Sequence, residues 1–216
     1  MKEIKRIMFT GDSVTDCNRA RPVGDGAGQV GDSYVANLFT WVWARNPENN
    51  LRFLNTATSG DTSRRLLSRF DDEVLAFKPD HLFIMIGIND CWRYFDDCSV
   101  KPEIHIPPEE SAANVEEMIK KTLDIGAVPV IISPIFFDLN KNDPMRAKCD
   151  ELNRLFKETA KKYSVDFIDV QSVADKYLEK ASSYILTGDR VHPKAVGKAL
   201  IADTVYASDA FQKLLK

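Results

Sequence analysis

The run His81–Gly87, HLFIMIG, limits the possible folds more than any other stretch of the chain. After its first residue it is apolar without alternation, so both of its faces need cover, as in a central parallel strand with helices on either side. Four other short runs, IKRIMF, LRFLNTA, VPVIIS and VDFIDV, also read as strands. The segments between them have helical spacing. Val115, Met118, Ile119 and Leu123 share one helix face, and Leu152, Leu155, Phe156 and Tyr163 share another, opposite Lys and Glu. Alternating β and α elements predict a three-layer α/β/α sandwich on a five-stranded parallel sheet. At 216 residues the chain is expected to form a single domain, 1–216.

Such sheets bind ligands at the carboxyl ends of their strands. The residues there are Gly11-Asp12-Ser13, Ser59-Gly60-Asp61 and Gly87-Ile88-Asn89-Asp90, and Asp189-Arg190-Val191-His192-Pro193 comes late in the chain. Together they offer a hydroxyl nucleophile, a base, an acid to orient the base, and oxyanion donors, the parts needed for acyl transfer.

Gly-Asp-Ser occurs twice, at 11–13 and at 31–33. Ser13 directly follows a strand, whereas Ser33 opens the helical run SYVANLFTWVWA and reads as an N-cap. Ser13 is therefore the candidate nucleophile. It needs a base, and the chain has three histidines. His81 begins a strand at the far end of the sheet, and His105 lies in the proline-flanked EIHIPP. That leaves His192, three residues after Asp189, a spacing at which one turn of chain can aim both side chains at one point. The same spacing also suits Asp189 as cap of a helix starting near Pro193. The backbone N–H of Ser13, the backbone N–H of Gly60 and the amide of Asn89 are suitable oxyanion donors. Gly60 would equally fit a tight turn, and Asn89 an Asx-turn.

Composition removes several other classes. Lys plus Arg number 29 against 32 Asp plus Glu, a net charge of −3 with no basic half, so nucleic acid is not an expected partner. The only early apolar run is Ile7–Phe9, short of the roughly 7–15 residues of a signal peptide, and no later stretch approaches a membrane span. Cys17, Cys91, Cys98 and Cys149 form no C-x-x-C pair and are expected to be reduced thiols in the cytoplasm. No zinc motif is present, and Asp71-Asp72-Glu73 reads as a solvated helix face, so no metal is expected. Gly26–Gly31 matches G-x-G-x-x-G but follows the loop-like CNRARPVGD instead of a strand, so no dinucleotide cofactor is expected. Phe39, Trp41 and Trp43 in one helical segment suggest self-association, although core burial explains them equally well.

FTGDSVTDCNRARP, GIND and DRVHP together resemble the SGNH hydrolases, the GDSL-type esterase family, over nearly the whole chain. The resemblance implies a flavodoxin-like sandwich, Ser13, Asp189 and His192 as catalytic triad, and Ser13, Gly60 and Asn89 as the oxyanion hole. TDCNRARP, GINDCWR and DPMR are most similar to the carbohydrate acetylesterases that act on xylan or xylo-oligosaccharides. Related enzymes often carry Trp before the catalytic acid, where this chain has Gly188, which implies a more open or differently shaped site. Trp92 and Arg93, with Asp12, are assigned to substrate binding, and Asp12 and Asp90 also read as loop supports. No apolar segment suggests a lid for a lipid tail, so a small acyl group such as acetyl on a sugar is the expected substrate. The alternatives are another acyl donor (esterase, lysophospholipase or thioesterase activity), a sugar acyltransferase, or a non-catalytic carbohydrate-binding protein.

Overall fold

A computed structural model describes residues 3–95 and 104–216, so Cys98 and the start of the proline-rich stretch before Ser111 lie outside the described residues. In chain order the elements begin with β1 (Lys5–Gly11), α1 (Ser13–Asp16), β2 (Gly24–Asp25), α2 (Tyr34–Arg45) and β3 (Leu51–Asn55). They continue with α3 (Ser63–Ser68), α4 (Phe70–Glu73), β4 (His81–Met85), α5 (Ile88–Trp92), α6 (Pro108–Asp124) and β5 (Val128–Ile132). The last are α7 (Pro144–Lys162), β6 (Asp166–Ile168), α8 (Val170–Leu178), α9 (Ser183–Leu186), α10 (Ala195–Ala207) and α11 (Asp209–Gln212).

The sheet order is β2-β3-β1-β4-β5-β6, with β2 antiparallel to β3 and the other pairs parallel. The five predicted strands all form, in the flavodoxin-like order with β1 at the centre. The sixth corrects the expected count. β2 is a two-residue edge strand in a Gly/Pro-rich stretch, too short to carry a periodic signal. It also precedes the G-x-G-x-x-G segment, which therefore does follow a strand. That strand is antiparallel, however, and the next helix starts only at Tyr34, so no βαβ unit surrounds the glycines.

Helices α2, α8 and α10 pack together, while α3, α6 and α7 form a second group, which gives three layers. Ile7, Met8 and Phe9 are fully buried on both faces of β1, and Phe9 stacks on Phe83 at 4.9 Å between ring centroids. On α6, Val115, Met118 and Ile119 are buried as expected, but Leu123 is 42 % exposed. Thr122 takes the buried position, where its hydroxyl donates to Met118 O at 2.7 Å. Phe39 packs edge-on to Phe53 and Trp41 edge-on to Tyr206, whereas Trp43 is exposed. Among the described residues no helix is long and apolar enough to cross a membrane.

Candidate active site

The first block is built where β1 and β4 run closest. A Cβ on Gly11 would lie 1.9 Å from Met85 O, so only glycine allows this approach. The chain then turns into α1, where Asp12 is the N-cap and its Oδ1 accepts from Val14 N at 3.0 Å. Ser13 is thereby set at the start of α1, at the carboxyl edge of the sheet. The second Gly-Asp-Ser supports the first. A Cβ on Gly31 would fall 2.4 Å from Asp16 O, and Ser33 is a buried N-cap of α2 that accepts from Val35 N at 3.2 Å.

Ser13 Oγ lies 2.9 Å from His192 Nε2, and His192 Nδ1 lies 2.6 Å from Asp189 Oδ2. The other carboxylate oxygen, Asp189 Oδ1, accepts from the backbone N–H of His192 at 2.7 Å and of Val191 at 2.9 Å. Asp189 thus binds both the ring and its own loop, and α10 has Lys194 as its N-cap instead. Partial burial pushes the Asp189 carboxyl up, but hydrogen bonds from the His192 ring and from both N–H groups outweigh it and hold the carboxyl at about 2. It is ionised throughout the neutral range.

Three anchors of this loop were not legible in the sequence. The buried Thr187 hydroxyl donates to His192 O at 2.9 Å and accepts from Asp189 N at 3.3 Å. Arg190 has φ +68°, its carbonyl accepts from Phe137 N at 2.9 Å, and its Nη1 pairs with Asp138 at 3.0 Å and Asp143 at 2.9 Å. Trp92 meets the His192 ring edge-on at 5.4 Å.

Gly60 has φ +83°, and the nearest atom to an added Cβ would be Arg93 Nη2 at 4.0 Å, so its surroundings are open. Asn89 is not in an Asx-turn. It sits in α5 with its amide nearly fully buried, donating one hydrogen to Asp61 O at 2.9 Å. An amide has a second hydrogen. Asp16 ties the first two blocks together, accepting from Ser59 N at 2.8 Å, Ser59 Oγ at 2.7 Å and Arg21 at 2.7 Å. Asp90 does the same for α3 and α6 through Ser63 and Ser111.

Asp12 is 1 % exposed, with Oδ1 accepting from Val14 N, the arrangement of a loop support. Burial, with Asp90 and Asp61 nearby, pushes its pKa up to about 7 against the hydrogen bond from Val14. Trp92 and Arg93 are half-buried at the rim, Trp92 beside His192 and Arg93 beside Gly60. His81 stands at the amino end of β4, and His105 stacks on Tyr94 at 4.1 Å. Among the described residues no group of three or more His, Cys, Asp or Glu side chains could hold a metal ion.

A model of the GDSL-like lipase/acylhydrolase family matches residues 9–200. An acetylxylan esterase of Geobacillus stearothermophilus is 36 % identical over 199 residues, covering 92 % of this chain and 90 % of that protein. The crystal structure of Axe2, an acetylxylan esterase from Geobacillus stearothermophilus, superposes with a TM-score of 0.91 at 35 % identity, over 94 % of this chain and 93 % of that one. LAE5, an alpha/beta hydrolase enzyme from the metagenome of Lake Arreo, Spain, gives 0.91 at 33 % identity over 100 % and 98 %. Catalytic mutants of Axe2 replace a serine, an aspartate or a histidine with alanine. With the family match spanning residues 9–200 and a solved relative superposing over most of its length, this chain belongs to the GDSL-like lipase/acylhydrolase family.

Proposed function

We propose that this carboxylic ester hydrolase removes acetyl groups from acetylated xylo-oligosaccharides through a triad of Ser13, His192 and Asp189. One observation carries the reading: Ser13 Oγ, the His192 ring and Asp189 form a continuous hydrogen-bonded chain of 2.9 and 2.6 Å. In acylation His192 Nε2 takes the Ser13 proton as Oγ attacks the ester carbonyl, and Asp189 holds the tautomer and stabilises the imidazolium. The tetrahedral oxyanion is met by the N–H groups of Ser13 and Gly60 and by the second amide hydrogen of Asn89. His192 then gives its proton to the departing sugar oxygen. Water, deprotonated by His192, cleaves the acyl-enzyme in turn.

The substrate class rests on the likeness to acetylxylan esterases. The test is acetate release from acetylated xylo-oligosaccharides by wild type, Ser13→Ala and Ser33→Ala. Release by wild type and Ser33→Ala but not by Ser13→Ala is expected, and turnover by Ser13→Ala would overturn the mechanism.

Two further expectations belong to the same reading. A reducing cytoplasm suits the free thiols of Cys17, Cys91 and Cys149, and cell fractionation tests it. Self-association through the face that exposes Trp43 and Ile4 is checked by comparing the sedimentation of wild type with that of Trp43→Arg.

A further inference from the structure

Two hydrogen bonds hold two atoms of the His192 ring, Nδ1 to Asp189 at 2.6 Å and Nε2 to Ser13 at 2.9 Å. The second does not last through the reaction. Once Ser13 Oγ carries an acyl group it has no hydrogen to donate, and the bond to Asp189 remains. Rotation of an imidazole about its Cβ–Cγ bond has broad minima, so one hydrogen bond at Nδ1 leaves the ring able to tilt. The His192 side chain is 42 % exposed, so burial does not lock it either.

Trp92 supplies the missing contact. Its ring centroid lies 5.4 Å from that of His192 with the planes 66° apart, the separation and angle of a favourable T-shaped pair. A tilt of the imidazole would either break this contact or drive one ring into the other. The indole is itself fixed. It packs against the hydrophobic core, and the Arg93 guanidinium lies 5.6 Å over its ring. Trp92 also ends α5, whose Asp90 is bonded to Ser63 of α3 and Ser111 of α6. Asn89 and Trp92 are three residues apart on α5, so they project from the same side of one helical turn. That turn therefore carries both a proposed oxyanion donor and a wall for the base.

We infer that Trp92 is a positioning residue, whose indole holds the plane of the His192 ring while protons move from Ser13 to the departing alcohol and then from water. The inference rests on the triad proposed above and not on the sugar, because a wall for the base serves every ester alike. This role differs from binding the sugar, and the two separate by experiment.

The experiment measures kcat and KM on methyl acetate, whose alcohol has no ring, and on acetylated xylobiose. Trp92→Ala is expected to lower kcat about 10- to 100-fold on both esters with KM within about threefold, because a misaligned base slows proton transfer and leaves ground-state binding intact. Trp92→Phe, which keeps a ring against the imidazole, is expected to recover most of that loss. Trp92→Leu, which keeps apolar bulk without a flat ring, carries the same test if alanine unfolds the chain. The downfield proton NMR signal of the Nδ1–H···Oδ2 bond is expected in wild type and Trp92→Phe, and to broaden or vanish in Trp92→Ala while the far-UV circular dichroism stays the same. A loss confined to acetylated xylobiose, or a kcat within about twofold of wild type on both esters, overturns the positioning role and leaves the triad standing. Turnover by Ser13→Ala, measured alongside, overturns the triad and this inference with it.

Discussion

Ser13 and His192 are 179 residues apart in sequence, yet Oγ and Nε2 meet at 2.9 Å. β1 delivers one partner to the carboxyl edge of the sheet, and the loop ahead of α10 delivers the other. Among the described residues, the carboxylate bonded to the His192 ring is that of Asp189.

Asp189→Asn keeps an oxygen for the two backbone N–H groups but presents an amide to His192 Nδ1, which forces the wrong ring tautomer. A fall in kcat of about 10⁴ with little change in KM is expected. Steady-state ester hydrolysis checks this, and a loss below tenfold would mean that another group orients the ring.

Asn89→Ala removes one proposed oxyanion donor and the bond to Asp61 O. The expected loss in kcat is about 10²–10³, or roughly 2.7–4 kcal/mol of transition-state stabilisation, with KM little affected. Activity within twofold of wild type would remove Asn89 from the oxyanion hole.

Asp12 gives a pH signature in stability. Its folded pKa, about 7, lies above the ordinary aspartate value of 3.8, so between those limits the folded state holds the proton more tightly than the unfolded chain. Its contribution is full below pH 4 and fades as pH rises through 7. Asp12→Asn keeps the cap acceptor without the charge, so its stability relative to wild type should grow between pH 5 and pH 8 by roughly 2–4 kcal/mol. Urea unfolding at the two pH values measures it, and a constant difference would mean that Asp12 stays ionised in the fold.

Arg146 is 1 % exposed and bonds Asp150 at 2.8 Å and Asp175 at 2.7 and 2.6 Å. Arg146→Met removes one partner of a largely buried pair and should cost roughly 3–5 kcal/mol in denaturant unfolding. A change under about 1 kcal/mol would show that Lys141 and Gln171, which also bond Asp175, hold that carboxylate unaided.

The parallel strands, and Ser13 and Asn89 just beyond two of them, were legible because apolar runs end shortly before those residues, whereas His192 was reached by elimination among three histidines and by its spacing to Asp189. β2 was not legible, since Gly24 and Asp25 carry no alternation. Leu123 fits the helical face by spacing, but it lies in the last turn of α6 and is exposed, and Thr122 is buried there instead. The Arg190 clamp joins residues 47 and 52 positions apart, and Thr187 acts through bonds to its own loop, so neither leaves a motif.

Asp16 accepts from Ser59 N and Ser59 Oγ while Arg21 grips the same carboxylate, so the turn bearing Ser13 and the turn bearing Gly60 are fastened to each other. The proposed donors therefore stand assembled before any ester arrives. Little of the free energy of substrate binding is diverted into moving loops, and the barrier carries a low reorganisation cost. Such an enzyme should process small, weakly held acetates nearly as readily per encounter as larger ones, with discrimination left to whatever grips the alcohol.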